Sequence, residues 1–150
     1  LVTIQLVARQ LNSPLHAMLK VRDAEGNVVL DAADSEGRDL TLTMAAKADV
    51  PYEISLHDLD FAGDRSYVYR LTLTAGPHVR ATYVAAGTRN KTHPVEFVGI
   101  GLATGAEKLE SVSRDVSFVA APDATTLTYV LETPFGKSLP ISLGVSDLPE

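Results

Sequence analysis

The chain has 150 residues, 45% of them apolar and 21% charged, with a formal net charge of −6 and no cysteine. That apolar share supplies a core and argues against wholesale disorder, while the negative balance argues against nucleic acid, which selects a basic face, and against anionic lipid. The lack of cysteine removes disulfides and thiolate zinc sites, and no apolar run reaches the length of a membrane span.

The chain opens on Leu1 rather than Met, inside an alternating row of Val2, Ile4, Leu6 and Ala8. Successive side chains of a strand point to opposite faces, so such a row marks a half-buried strand. This opening is expected of a piece of a longer protein, with its targeting segment and a first strand lying upstream. Ala17, Leu19 and Val21 form the next row, and "DAEGN" (Asp23 to Asn27) then predicts a hairpin turn into Val28–Leu30. Leu40, Leu42 and Met44 follow, then Tyr52, Ile54 and Leu56, then Tyr67, Tyr69, Leu71 and Leu73. "MAAKADV" is the best helix candidate, and it is short and ends at Pro51.

Beyond "TAGPHV" (Thr74 to Val79), Val79, Ala81 and Tyr83 alternate, and Val95, Phe97 and Val98 run into "GIG". Val112, Val116 and Phe118, then Leu127, Tyr129 and Leu131, then Leu139, Ile141, Leu143 and Val145 complete the series. Breakers such as "AAGTRN", "ATGAE", "APDAT" and "TPFGK" separate the rows. Many short strands divided by turns predict an all-β chain of sandwiches. The Gly-Pro pair at 76–77 marks a seam, giving two small β-sandwiches over residues 1–75 and 76–150.

Two loops concentrate acids. Asp58, Asp60 and Asp64 lie around Gly63, and Asp31, Asp34, Glu36 and Asp39 lie in the loop after Val28–Leu30. Calcium takes six to eight oxygens, so together the loops could form a cage. Their spacing is not that of an EF-hand, and Asp in turns commonly serves local hydrogen bonds, which is the leading reading here.

The stretch "SPLHAMLKVRDAEGNVVLDAADSEGRDLTLTMAAKADVPYEISLHDLDFAGDRSYVYRLTL" resembles the bacterial pre-peptidase C-terminal (PPC) domain. The likeness is carried by Ser13 to Leu15, Asp23 to Gly26, Asp31 to Asp39, Val50 to Tyr52 and Asp58 to Leu73, within residues 1–74. It implies a jelly-roll β-sandwich, non-catalytic, appended to secreted peptidases and other extracellular proteins, with calcium or matrix polymers as ligands of some members. His16 stands where the family commonly has Asp, and Ala32 and Ala33 interrupt a usually acidic loop, so oxygen donors are lost at both places. "ATYVAAGTRNKTHPVEFVGIGL" resembles the Ig-like segment that follows such domains in large surface proteins of planctomycete-type bacteria.

Catalytic patterns are weak. His16, His57, His78 and His93 form no HExxH pair, and no G-x-S-x-G elbow is present. "GIGLATG" (Gly99 to Gly105) has the glycine density of a phosphate loop without the Lys-Ser/Thr that completes one. Trp is absent, and Tyr52, Tyr67, Tyr69, Tyr83 and Tyr129 sit in alternating rows, where a core position is expected; Tyr67 and Tyr69 in particular share a face with Leu71 and Leu73. The expectation is a non-catalytic accessory region of a secreted or surface bacterial protein. Its partners would be neighbouring domains of the same polypeptide and an extracellular polymer or protein. The alternative is a calcium-stabilised carbohydrate- or polymer-binding module, with Asp31, Asp34, Asp39, Asp58, Asp60 and Asp64 as metal ligands.

Overall fold

A computed structural model describes residues 1–34 and 37–147. The chain is all-β and divides into two compact units, one over Val2–Leu73 and one of Leu1 with the residues from Thr74 on. Among the described residues, no helix is long and apolar enough to cross a membrane.

The first unit holds β1 (Val2–Val7), β2 (Ala17–Arg22), β3 (Val28–Ala33), β4 (Leu40–Met44), β5 (Glu53–Asp58) and most of β6 (Arg70–Ala75). They form two three-stranded sheets, ordered β4-β1-β6 and β3-β2-β5. Alternation decides which side chains point inward: Ile4, Leu6 and Met44 from one sheet meet Ala17, Leu19 and Val21 from the other in one core. A short 3-10 turn, Arg9–Leu11, leads out of β1 and ends on Asn12 in the left-handed region, at φ 57°. The "DAEGN" turn joins β2 to β3. Asp23 accepts the N–H groups of Glu25 (3.1 Å) and Asn27 (2.8 Å), and these bonds, with the Asn27 side chain foremost, hold its carboxyl below the usual range. "MAAKADV" is not helical: β4 ends at Met44, and a turn with Asp49 at φ 58° precedes Pro51.

The second unit holds β7 (His78–Tyr83), β8 (Ala86–Thr88), β9 (Thr92–Ile100), β10 (Leu109–Ser117), β11 (Thr126–Tyr129), β12 (Glu132–Thr133), β13 (Gly136–Lys137) and β14 (Ile141–Ser146). Its sheets are ordered β10-β9-β7 and β11-β14-β8, with β12 and β13 as a small hairpin, and β8 runs parallel to β14. Val95, Phe97, Val116, Phe118, Leu131 and Leu143 are fully buried, and Tyr129 stacks on Phe97 at 5.4 Å. Pro94 sits in the central strand β9 at no cost to the ladder. The pairing of β7 with β9 ends at Tyr83–Glu96, so the side on which proline lacks its N–H has no partner strand there.

Two expected core rows are corrected. Tyr69 and Leu73 are each 54% exposed, while Tyr67 and Leu71 pack against the core. The strand starts only at Arg70. Ahead of it the N–H of Tyr67 donates to Asp64 and that of Val68 to Ser66, so residues 64–68 turn and the period of two does not extend back through them. Tyr83 is 65% exposed because the register shifts between Val79 and Ala81. One extra residue in a strand inverts every later side chain, and Thr82 takes the inward place.

Candidate functional site

In the first unit, β2 lies between β3 and β5 and antiparallel to both, so the C-terminal ends of β3 and β5 flank its start. This topology brings both acidic loops to one end of the sheet. The Asp34 N–H donates to the Ala17 carbonyl at 2.8 Å, and Asp58 accepts the His16 N–H at 2.9 Å.

The carboxylates at this end are turned into their own backbone. Asp34 is buried and accepts the Arg38 N–H (2.6 Å) and the Arg9 Nε–H (3.2 Å). Asp39 accepts the N–H groups of Ala8 (2.7 Å), Arg9 (2.8 Å) and Gln10 (3.4 Å), capping the 3-10 turn whose first donors have no partner within it. Asp58 accepts Asp60 (3.0 Å) and Ala62 (3.1 Å) besides His16. The His16 bond foremost, then those from Ala62 and Asp60, holds its carboxyl below the ordinary value against the opposing effect of burial. Asp64 binds the Ser66 hydroxyl and N–H, both at 2.6 Å, and its carboxyl is lowered by them. Asp31 pairs with Lys20 across the β2–β3 ladder at 3.1 Å. Asp60 is exposed. Among the described residues no three or more histidines and carboxylates gather as metal ligands; Glu36 lies outside them.

The histidines occupy separate places. His16 and His57 are exposed, and His57 meets the Phe61 ring edge-on at 4.9 Å. His78 is half-buried, and desolvation, with Arg80 nearby, lowers its pKa. His93 Nε2 accepts the Thr88 N–H at 3.2 Å.

The second unit contains a feature that no sequence motif announces. The loop after "GIG" closes around a carboxylate of its own chain. Glu110 Oε2 accepts the N–H groups of Ala103 (2.8 Å) and Thr104 (2.9 Å), and Oε1 accepts the Thr104 hydroxyl (2.5 Å) and faces Lys108 at 3.3 Å. The glycine density is used to build that cradle: Gly101 and Gly105 stand at φ 72° and 71°, where a side chain is strained. The Thr104 hydroxyl foremost, then the two N–H groups and Lys108, pulls the Glu110 carboxyl down to about 2. The segment is a loop between β9 and β10, and the anion it holds is the chain's own Glu110 side chain near the start of β10. Arg89 is a further residue that motif reasoning misses. Its guanidinium binds Asp147 (2.6 and 3.2 Å) and the carbonyls of Ala121 and Ala124, tying the end of β8 to the segment before β11 and to the end of β14.

Two hollows bear on ligand binding. One, of about 120 Å³, opens onto the first core among Val2, Val21, Met44, Ala46, Tyr52 and Leu73 and is wholly apolar. The other, of about 140 Å³, lies between β7 and β14. Neither is lined by a carboxylate or histidine facing a second titratable group. No protein-family model, curated protein or solved structure matches the chain.

Proposed function

We propose that this chain is a non-catalytic accessory region of a larger secreted or surface-exposed bacterial protein, a PPC-like sandwich followed by an Ig-like one, which spaces or attaches neighbouring domains. The observation that carries the reading is the use made of the acids. Asp34, Asp39, Asp58 and Glu110 each fasten two or more backbone N–H or side-chain donors of the loops around them. A carboxylate so engaged stiffens a loop, and a substrate or a metal would have to compete with those donors for its oxygens. With one apolar core in each unit, such loops stiffen each sandwich by itself, as a spacer needs.

Co-sedimentation of the 150-residue chain with insoluble extracellular polysaccharides, in calcium and in chelator, tests this. The expected outcome is equal recovery in the supernatant under both conditions. Calcium-dependent retention on a polymer would replace the spacer reading with that of a calcium-stabilised binding module.

A further inference from the structure

We propose that the apolar hollow of the first unit is a binding site for a small apolar molecule of about benzene's size. Its wall residues all lie within Val2–Leu73. Val2 pairs with Met44 where β1 begins and β4 ends, and Val21 pairs with Ile54 where β2 ends and β5 begins. The hollow therefore lies between the two sheets, at the end of the sandwich away from the acidic loops. Side chains there are short: Val2, Val21 and Ala46 leave unfilled what longer ones would occupy. Ile4, Val21 and Met44 are buried at its floor, and the half-exposed Leu73 stands at its mouth.

Packed interiors hold few voids larger than a water molecule, and about 120 Å³ has room for several. The lining presents no polar surface, so a water inside finds none of the partners that hold buried water in place. Poorly held water is released readily when an apolar guest enters. The Tyr52 hydroxyl is turned to its own chain and accepts the Lys47 N–H at 3.1 Å, which leaves the ring as wall and braces residues 47–52 before any guest arrives. Met44 is unbranched, and its thioether adapts to a guest and makes favourable contact with an aromatic edge. Size sets the ligand class: an apolar cavity of about 150 Å³ stays dry and takes up benzene or xenon. A single ring or a branched hydrocarbon of that size fits. A sugar or a peptide backbone does not, because its polar groups would lose water without replacement. The site is independent of the accessory role proposed above.

Titration of the full chain with benzene, followed by methyl resonances in NMR, tests this. Saturable shifts are expected at Val2, Val21, Met44 and Leu73, with a Kd in the millimolar range, and none at Val95 or Leu143 in the second core. Pyrimidine, a ring of the same size with two nitrogens that the lining cannot satisfy, should bind about tenfold more weakly or worse. Ala46→Leu, which fills the hollow, should abolish the shifts while keeping or raising the melting temperature. Leu73→Ser, made at the mouth and outside the packed core, should weaken binding severalfold and keep the parent's circular dichroism. Shifts that rise linearly to the solubility limit of benzene, equal shifts in the second core, or pyrimidine binding as tightly would overturn the proposal. Saturable shifts persisting in folded Ala46→Leu, or binding unchanged in Leu73→Ser, would do the same. So would self-association that benzene disperses and Phe61→Ser abolishes, since the hollow would then belong to the 82% exposed Phe61 ring of another copy.

Discussion

The loop after Asp58 and the loop before Glu110 solve the same problem in opposite ways. Each gathers backbone N–H groups on one carboxylate. At Asp58 the acid precedes its loop, accepts from residues two and four further on, and takes a third donor, His16, from the neighbouring strand's approach. At Glu110 the acid follows its loop and is approached by donors six and seven residues earlier, with a hydroxyl and Lys108 added. In sequence the Asp58 loop has the acids of a metal site, and the Glu110 loop has the glycines of a phosphate site. Both are internal anion cradles. A carboxylate supplied by the chain meets the demand that either pattern advertises, and what distinguishes a ligand site from a structural one is whether donors outnumber the anions already present.

The largest test of this comparison is Asp34→Ala, at the same end of the first unit as Asp58. Asp34 is buried and holds both the Arg38 N–H and the Arg9 guanidinium. Truncation removes the acceptor of both, and bonds to a charged group of this kind contribute about 1.5–3 kcal/mol. The loss should appear in urea titration, with faster amide exchange confined to peptides of residues 2–73. Equal acceleration in the second unit would show that the two loops are not separately stabilised.

Acid sharpens the comparison next. Glu110 is lowered to about 2 from an ordinary 4.5, so it binds fewer protons folded than unfolded. Its contribution is therefore complete above pH about 4.5 and is lost as pH falls toward 2. Asp58 is lowered too, from 3.8, so its contribution also fades only in acid, starting below its ordinary value. Glu110→Gln should lower the melting temperature near neutrality and flatten its fall between pH 4.5 and 2, with Asp58→Asn flattening a part of the curve that begins lower, below about 3.8. A parallel fall in Glu110→Gln and the parent would remove the cradle from the account.

Strand rows are the most legible part of the fold. Thr92–Ile100 alternates in sequence and in burial, because a central strand over a single core leaves each side chain one of two fates. The failures have local causes. The extra residue near Arg80 exchanges the faces of β7, and nothing in "HVRATY" signals it, since a bulge is set by what the partner strand requires. The alternation of "YVYRLTL" points Tyr69 into a strand, yet the turns organised by Asp64 and Ser66 hold the preceding residues back. The acidic loops are legible as turns, and the direction in which their carboxylates point is not. Arg89 and Asp147 are 58 residues apart, and no window short enough to show a pattern contains both. Glu110 carries a faint signal: a loop with several inward N–H groups needs an anion, and the first acids after "GIGLATG" are Glu107 and Glu110.

The smallest effect is expected from calcium, and it bears most directly on the two loops. A site present only in the folded state and held at a hundredfold its Kd adds about 2.7 kcal/mol of stability, which a thermal melt of a chain this size would register as a clear shift. Binding at the Asp58 end would require Asp34, Asp39 or Asp58 to release backbone N–H groups that it now accepts. Each released donor would then need a new partner, and that cost opposes the metal. Melting curves in millimolar calcium and in chelator should therefore superimpose for the parent. An upward shift with calcium that disappears in Asp60→Asn or Asp64→Asn would show that the exposed acids recruit the buried ones after all, and that the end of the first unit is a cation site in which the turn bonds are the resting state.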